Sequence, residues 1–323
     1  MRVGIYLDLR NPPEWRRPGA EFYARSLEAV EEAERLGADS VWLSEHHFFE
    51  DGYLPQPLTF AAAVAARTTR VRIGTAVLLA PLRPAVQIAE DAVIVDLVSG
   101  GRLELGLGAG YRVPEFAAYG ADLSRRYGLV ERRVREIREL FSSGRVTPAP
   151  VQDPLPIWLG FGGPQGARRA GRLGEGLLTL SPELLKPYRE GLLEGGHDPD
   201  SGRMAGPLMF VLADDPEAAW HRLRPHFQYQ WDSYRRYLAE GRDMPTPPPV
   251  DPERWRQPGR GGAPPRLGVL GVDQAVGMLR AWLPRMPARE IFFWSSIAGM
   301  PDELARRHVE LVCTDLRDAL ADL

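Results

Sequence analysis

Short apolar runs alternate with longer amphipathic stretches along the whole chain. Val3–Leu7 reads as a buried strand. Phe22, Leu27, Val30, Ala33 and Leu36 then recur at helical spacing, and Gly37 ends that helix. Further strands are expected at Ser40–Ser44, Val71–Leu79, Leu103–Leu107, Ile157–Gly160, Leu177–Leu180, Leu208–Ala213 and Ile291–Trp294. Helical patterns fill the intervals: Leu58–Arg67, Val86 to Leu97, Val130 to Phe141, Arg168–Leu173, a stretch after Pro182, and Pro216 to Leu238. Val272–Leu283 and the closing Pro301–Leu320 complete the set.

Strands that alternate with helices favour a parallel sheet with helical crossovers. Eight such units close naturally into a (β/α)8 TIM barrel, an α/β fold. A doubly wound open sheet is the alternative. No shift in composition marks a boundary, so residues 1–323 read as one domain. One stretch interrupts the pattern. The Pro/Gly-rich segment 241–265, after the seventh strand's helix, reads as an extended loop or lid.

The 323 residues are 44% hydrophobic and 26% charged, enough to bury a core without disulfides or metal staples. A net charge of −3 argues against nucleic acid as the main partner, because phosphate binding needs a basic surface. Cys313 is the only cysteine, which excludes an intrachain disulfide. No apolar run reaches the roughly 18 residues that a membrane helix needs. The chain opens on a strand rather than a signal segment, so the cytoplasm is the expected location.

A barrel enzyme carries its site at the C-terminal ends of the strands. The second strand runs into Ser44-Glu45-His46-His47-Phe48. Histidine suits acid–base work there, because its pKa lies near neutrality. Adjacent residues at a strand end point in different directions, so His46 and His47 are poor joint metal ligands. With no HExxH motif, no metal site is expected.

The fourth strand leads into Gly106-Leu107-Gly108-Ala109-Gly110-Tyr111. Glycines there let backbone approach a ligand closely. The spacing is GxGxG and no acidic residue follows at the right distance, so the dinucleotide fingerprint fails. The fifth strand leads into Gly160-Phe161-Gly162-Gly163-Pro164-Gln165-Gly166 and a helix, a place suited to phosphate, with Arg168 and Arg169 nearby. Gly74, Thr75 and Ala76 of the third strand leave room for a flat ring.

Together these words resemble the luciferase-like monooxygenase family. The likeness is densest from about Ala33 to Phe141. It is carried by Leu36–Phe48, Ile73–Leu79, Ala89-Glu90-Asp91, Asp96–Gly108, Pro156–Gly160 and Gly299-Met300-Pro301. The resemblance implies an FMN-binding barrel in which reduced flavin and dioxygen oxidise a small organic substrate. A separate flavin reductase would supply the reduced flavin. It implies His46 as the catalytic histidine and a non-proline cis peptide at Ala76–Val77 behind the flavin. Gly162, Gly163 and Gln165, at the turn opened by Gly160, would face its phosphate. Gly108 and Tyr111 would flank the cofactor, and Trp294 would face the substrate. A homodimer through helices near the second and third strands is also implied.

Two positions depart from the family pattern. Ala109 and Tyr127 stand where phosphate-binding arginines are expected, with Arg125, Arg126, Arg168 and Arg169 as possible replacements. This leaves two alternatives open: hydride transfer with the deazaflavin F420 on the same barrel, or a degenerate, non-catalytic flavin-binding protein.

Overall fold

The computed structural model describes residues 1–256, 263–265 and 267–323. The strands of the main sheet are β1 (Arg2–Leu7), β2 (Ser40–Leu43), β3 (Arg72–Thr75), β4 (Leu78–Leu79), β5 (Leu103–Gly108), β6 (Ile157–Gly160), β7 (Gly176–Leu177), β8 (Met204–Leu208) and β11 (Ala288–Trp294). Their order is β3-β2-β1-β11-β8-β7-β6-β5-β4, and a further β3–β5 pairing closes the ring. β3 and β4 share one position, broken at Ala76-Val77, so the barrel has eight positions. All the strand pairings among the described residues are parallel. This is the (β/α)8 barrel the alternation predicted.

The helices outside the ring are α1 (Gly19–Leu36), α2 (Pro57–Arg67), α3 (Ala85–Ser99), α4 (Val113–Ala118), α5 (Arg126–Ser142), α6 (Gly163–Arg172), α7 (Leu185–Glu194), α8 (Pro216–Ala239), α9 (Pro252–Trp255), α10 (Val272–Trp282) and α11 (Asp302–Leu311). α11 continues through a π-helical turn, Val312–Leu316, into Arg317–Ala319. α1 and α3 both stop on a glycine in the left-handed conformation, Gly37 and Gly100, which accepts that backbone without a side-chain clash.

Two expectations need correction. The seventh barrel strand is Met204–Leu208, not Leu208–Ala213. Pro207 made the true strand look like a break, yet it sits opposite Phe292 in the ladder. The apolar run beyond it is explained differently: β9 (Val211–Leu212) pairs with β10 (Val269–Leu270) in a separate two-stranded sheet. The sixth strand is Gly176–Leu177, so the run to Leu180 belongs to the following loop. Segment 241–265, expected as an extended loop or lid, contains the short α9 and buries Val250 and Pro252. Residues 257–262 of that expected lid lie outside the described residues.

One end of the barrel is plugged. Trp42 and Trp158 lie inside it, with Trp42 stacked on Phe292 at 4.8 Å. Their indole N–H groups donate to Glu290 (2.5 Å) and Glu104 (2.7 Å). A side chain at Gly74 or Gly176 would put its Cβ 2.2 or 2.3 Å from those indole rings, so both positions need glycine. The large rings fill the lumen only because the neighbouring strands present none. The open end, at the strand C-termini, holds the candidate site.

α3 is apolar on nearly every side. Ile88, Ala92 and Val95 are buried, but Val86, Ile94, Leu97 and Val98 are exposed. A helix of this kind is normally covered on all faces.

Candidate active site

His46 and His47 follow β2 and part company at once. His46 is buried, and its Nδ1 lies 2.9 Å from Glu115 Oε1. The same oxygen accepts the His47 backbone N–H at 2.9 Å. A carboxylate only accepts, so Nδ1 is the donor, and in the neutral ring the lone pair falls to Nε2. Phe49 stacks on the imidazole at 4.7 Å, while Tyr53 and Tyr111 meet it edge-on at 4.9 and 5.1 Å. These rings pack against the imidazole, and among the described residues Nε2 has no hydrogen-bond partner.

His47 turns to other partners. Its Nε2 lies 2.7 Å from Glu45 Oε1, which Arg83 also reaches at 2.7 Å. The Leu79 N–H donates to the other oxygen of Glu45. Among the described residues no cluster of His, Cys, Asp or Glu is arranged to hold a metal.

Glu115 comes from the first turn of α4, on a stretch where Phe116 is buried beside it. Its Oε2 and the buried Tyr111 hydroxyl have no partner among the described residues. Arg112, on the same segment, is buried and donates to the carbonyls of His47 and Phe48 and to Glu240. Its guanidinium covers the Phe49 and Tyr237 rings at 5.1 and 4.5 Å. The C-terminal end of α8 is thereby tied to the histidine loop.

A second group of expected residues forms a shelf. The Ala76–Val77 peptide is cis, where the resemblance implied one. A Cβ on Gly108 would lie 2.1 Å from Val77 Cγ2, and one on Gly160 would lie 2.5 Å from Val77 Cγ1. Both glycines therefore make way for Val77 to lie over the ends of β5 and β6. Tyr6 donates from its hydroxyl to the Ala76 carbonyl at 3.1 Å. Its ring meets Trp294 edge-on at 4.6 Å, linking the shelf to β11.

Beyond the shelf, Gly162, Gly163 and Gln165 are exposed at the N-terminus of α6, with open space where side chains on the two glycines would be. Helix N-termini attract anions. The nearby cations are not equivalent. Arg168 pairs with Glu194 on α7, and Arg169 pairs with Glu131 on α5. Arg126 lies 4.4 Å over the ring of Tyr127, which faces Phe161 of the turn at 6.0 Å. Its Nε is buried without a partner among the described residues.

The model of the luciferase-like monooxygenase family matches residues 1–311. The chain belongs to that family. Among curated relatives, an F420-dependent glucose-6-phosphate dehydrogenase of Amycolatopsis mediterranei is 35% identical over 195 residues, 54% of this chain and 58% of that protein. The corresponding protein of Intrasporangium calvum is 30% identical and aligns over 65% of this chain and 72% of its own. The alignments to the first two such relatives span only 58% and 54% of their lengths.

Among solved structures, monooxygenase RslO1 from Streptomyces bottropensis matches with a TM-score of 0.79 at 23% identity, covering 100% of this chain and 99% of that one. The oxygenating constituent of 3,6-diketocamphane monooxygenase from Pseudomonas putida, in complex with FMN, matches with a TM-score of 0.75 at 16% identity and 98% coverage of both chains. These likenesses establish the fold. The family is one of oxidoreductases whose members use FMN or F420.

The geometry suits a flat tricyclic cofactor with a phosphate. Val77 offers a platform, the α6 N-terminus an open cradle, and Tyr111 and Glu115 unsatisfied polar atoms at the mouth. His46 and Tyr111 are in contact, whereas Trp294 sits on the β1–β11 side and donates to Asp8. Sequence reasoning missed Glu115, Arg112 and Asp8. Asp8 was within reach, since it directly follows β1, where a barrel places functional groups.

Proposed function

We propose that this chain is an FMN-dependent monooxygenase that uses reduced FMN and dioxygen to oxidise a small organic substrate, with reduced flavin supplied by a separate reductase. Bound reduced flavin would supply the electrons and the site of dioxygen activation. Gly162, Gly163 and Gln165 would hold its phosphate, assisted by Arg126, and Val77 would support its ring between Gly108 and Gly160. His46 would take or return a proton at Nε2, held in one tautomer by Glu115. Phe49, Tyr53 and Tyr111 pack against the imidazole.

One observation favours FMN over F420. F420 carries an anionic tail beyond its phosphate, which favours unpaired cations beside that phosphate. Around α6, Arg168 and Arg169 are already paired with glutamates. A single phosphate asks less. The second reading, F420-dependent hydride transfer, draws support from several curated relatives that are named as F420-dependent glucose-6-phosphate dehydrogenases.

Side-by-side equilibrium binding of FMN and F420, followed by oxygen uptake, tests the choice. Micromolar FMN binding with substrate-dependent oxygen consumption is the expected result. Preference for F420 without oxygen use overturns it, and binding of neither overturns both readings.

We also propose that the exposed face of α3, with Val86, Ile94, Leu97 and Val98, pairs with a second copy. Sedimentation should show a dimer that Ile94→Asp converts to monomer; an unchanged Ile94→Asp dimer rejects this face.

A further inference from the structure

Asp8 is a buried carboxylate that the mechanism above does not use. It follows β1 at the open end of the barrel and is 4% exposed. Its Oδ2 accepts the Trp294 indole N–H at 2.9 Å, and among the described residues its Oδ1 has only the Arg10 backbone N–H at 3.4 Å. The obvious counterion is engaged elsewhere. Arg10 donates through Nε to Asp51 at 2.6 Å, and its other nitrogens reach Ser233 and the Gln230 carbonyl. The Arg10 guanidinium is also enclosed by the Tyr53, Tyr229 and Tyr234 rings at 5.5, 5.6 and 5.0 Å.

An ionised carboxylate can accept about four hydrogen bonds. Asp8 receives one good one and one long one. The groups around it are Tyr6 on β1, Arg10 in the following loop, Asp51 and Tyr53 after β2, Tyr234 on α8, and Trp294 on β11. Burial pushes the Asp8 pKa up to about 6, against the pull of Arg10 and the Trp294 indole and with some help from Asp51. A cavity of about 690 Å³ reaches this point, lined by Asp8, Ser295 and Ser296 at the strand ends and by Phe22, Ala29 and Val309 from α1 and α11. Its size is that of a small-molecule site, and its walls mix apolar side chains with charged ones such as Arg17, Glu28 and Arg306.

We propose that Asp8 is the substrate-recognition acceptor of this site, taking a hydrogen bond from an alcohol or amine on the substrate. A substrate without that donor leaves the carboxylate as poorly satisfied as it is now, so the site selects against it. The inference rests on the proposed function only in taking the barrel mouth as the place where substrate lies. It is independent of which cofactor binds.

The test uses the full chain without cofactor. The Trp294 indole N–H resonance, assigned with Trp294→Phe, is followed by 15N NMR while cyclohexanol, cyclohexylamine or methylcyclohexane is added. The expected result is a saturable shift with the alcohol or the amine, and at least tenfold weaker binding of methylcyclohexane. Response to the alcohol alone identifies a neutral donor, and response to the amine alone identifies a cation; either supports the inference. Asp8→Asn should weaken the preferred probe at least tenfold while the Trp42 and Trp158 resonances at the plugged end stay in place.

If that variant does not fold, the wild-type protein still decides. Protonating Asp8 by lowering the pH from 7 to 5 should weaken the amine probe, whose own charge is constant over that range. Equal binding of methylcyclohexane, no response to any probe, or unaltered binding in Asp8→Asn overturns the inference. FMN and F420 titrations of the same sample report separately on the proposed function. Donor binding with no cofactor binding would sink that function and leave Asp8 standing.

Discussion

At the plugged end of the barrel Glu104 accepts hydrogen bonds from Arg2, Arg72 and the Trp158 indole, whereas at the open end Glu115 leaves one oxygen without a partner among the described residues. Both are buried glutamates on or beside β5. Glu104 is surrounded by groups that satisfy it, and burial, which would raise its pKa, is outweighed by Arg72, Arg2 and the indole, so the pKa is lowered. Glu290 shares the plug and goes the other way, because its complete burial outweighs Arg2. At the open end Glu115 is committed to His46 and the His47 N–H on one oxygen only. Glu104 is saturated within the plug, Glu290 Oε2 has an ion pair with Arg2 but no hydrogen bond, and Glu115 Oε2 has neither among the described residues. That difference separates a structural carboxylate from a functional one better than burial does.

The largest effect that could break this comparison is on turnover. His46→Ala should leave cofactor binding near wild type and lower turnover about 1,000-fold, within the range for removing a general acid–base. Single-turnover kinetics on the loaded protein measure it. Turnover within a few-fold of wild type would mean that the open end owes its chemistry to another residue.

The next effect is on stability. Glu104→Gln should cost about 3 kcal/mol, because it removes the charge that Arg2 and Arg72 pair with and turns one acceptor oxygen into a donor facing other donors, though both arginines are partly solvated. Thermal unfolding reads the loss, while turnover per folded molecule should hold. A drop in turnover with unchanged stability would place the plug in the chemistry and reverse the contrast.

The sequence made the elements legible wherever period and punctuation agreed. Leu103–Leu107 reads as a strand and forms one that runs to Gly108, and Gly37 ends its helix as expected. It misled where a local rule met a tertiary need. Pro207 lies in a barrel strand because its neighbours hold the ladder, and the apolar run 208–213 serves a second, smaller sheet. In the site, the histidine pair and the glycine turns stood out because their chemistry is local. Glu115 did not, since its partner His46 is 69 positions away and a lone glutamate on a helix normally faces water. No sequence period encodes such a contact.

The smallest effect sharpens the contrast through pH. Asp8 titrates at about 6 in the folded protein, well above its ordinary value of 3.8. Between those values the folded state holds a proton that the unfolded chain has released, so stability falls as pH rises from about 4 to 6. A rise of that size corresponds to at most about 3 kcal/mol, less once neighbouring groups relax. Glu104 has the opposite sign: its lowered pKa contributes stability above the ordinary carboxylate value, lost as pH falls through the folded one. Denaturant unfolding of Asp8→Asn from pH 4 to 7 should therefore lack the wild-type decline, so the variant matches wild type near pH 4 and exceeds it at pH 7. The gain is expected because an amide can still accept the Trp294 N–H without burying a charge. Should Asp8→Asn instead lose stability at pH 7, Asp8 would be a satisfied structural group like Glu104. The open end would then keep only the spare oxygen of Glu115 to set it apart from the plug.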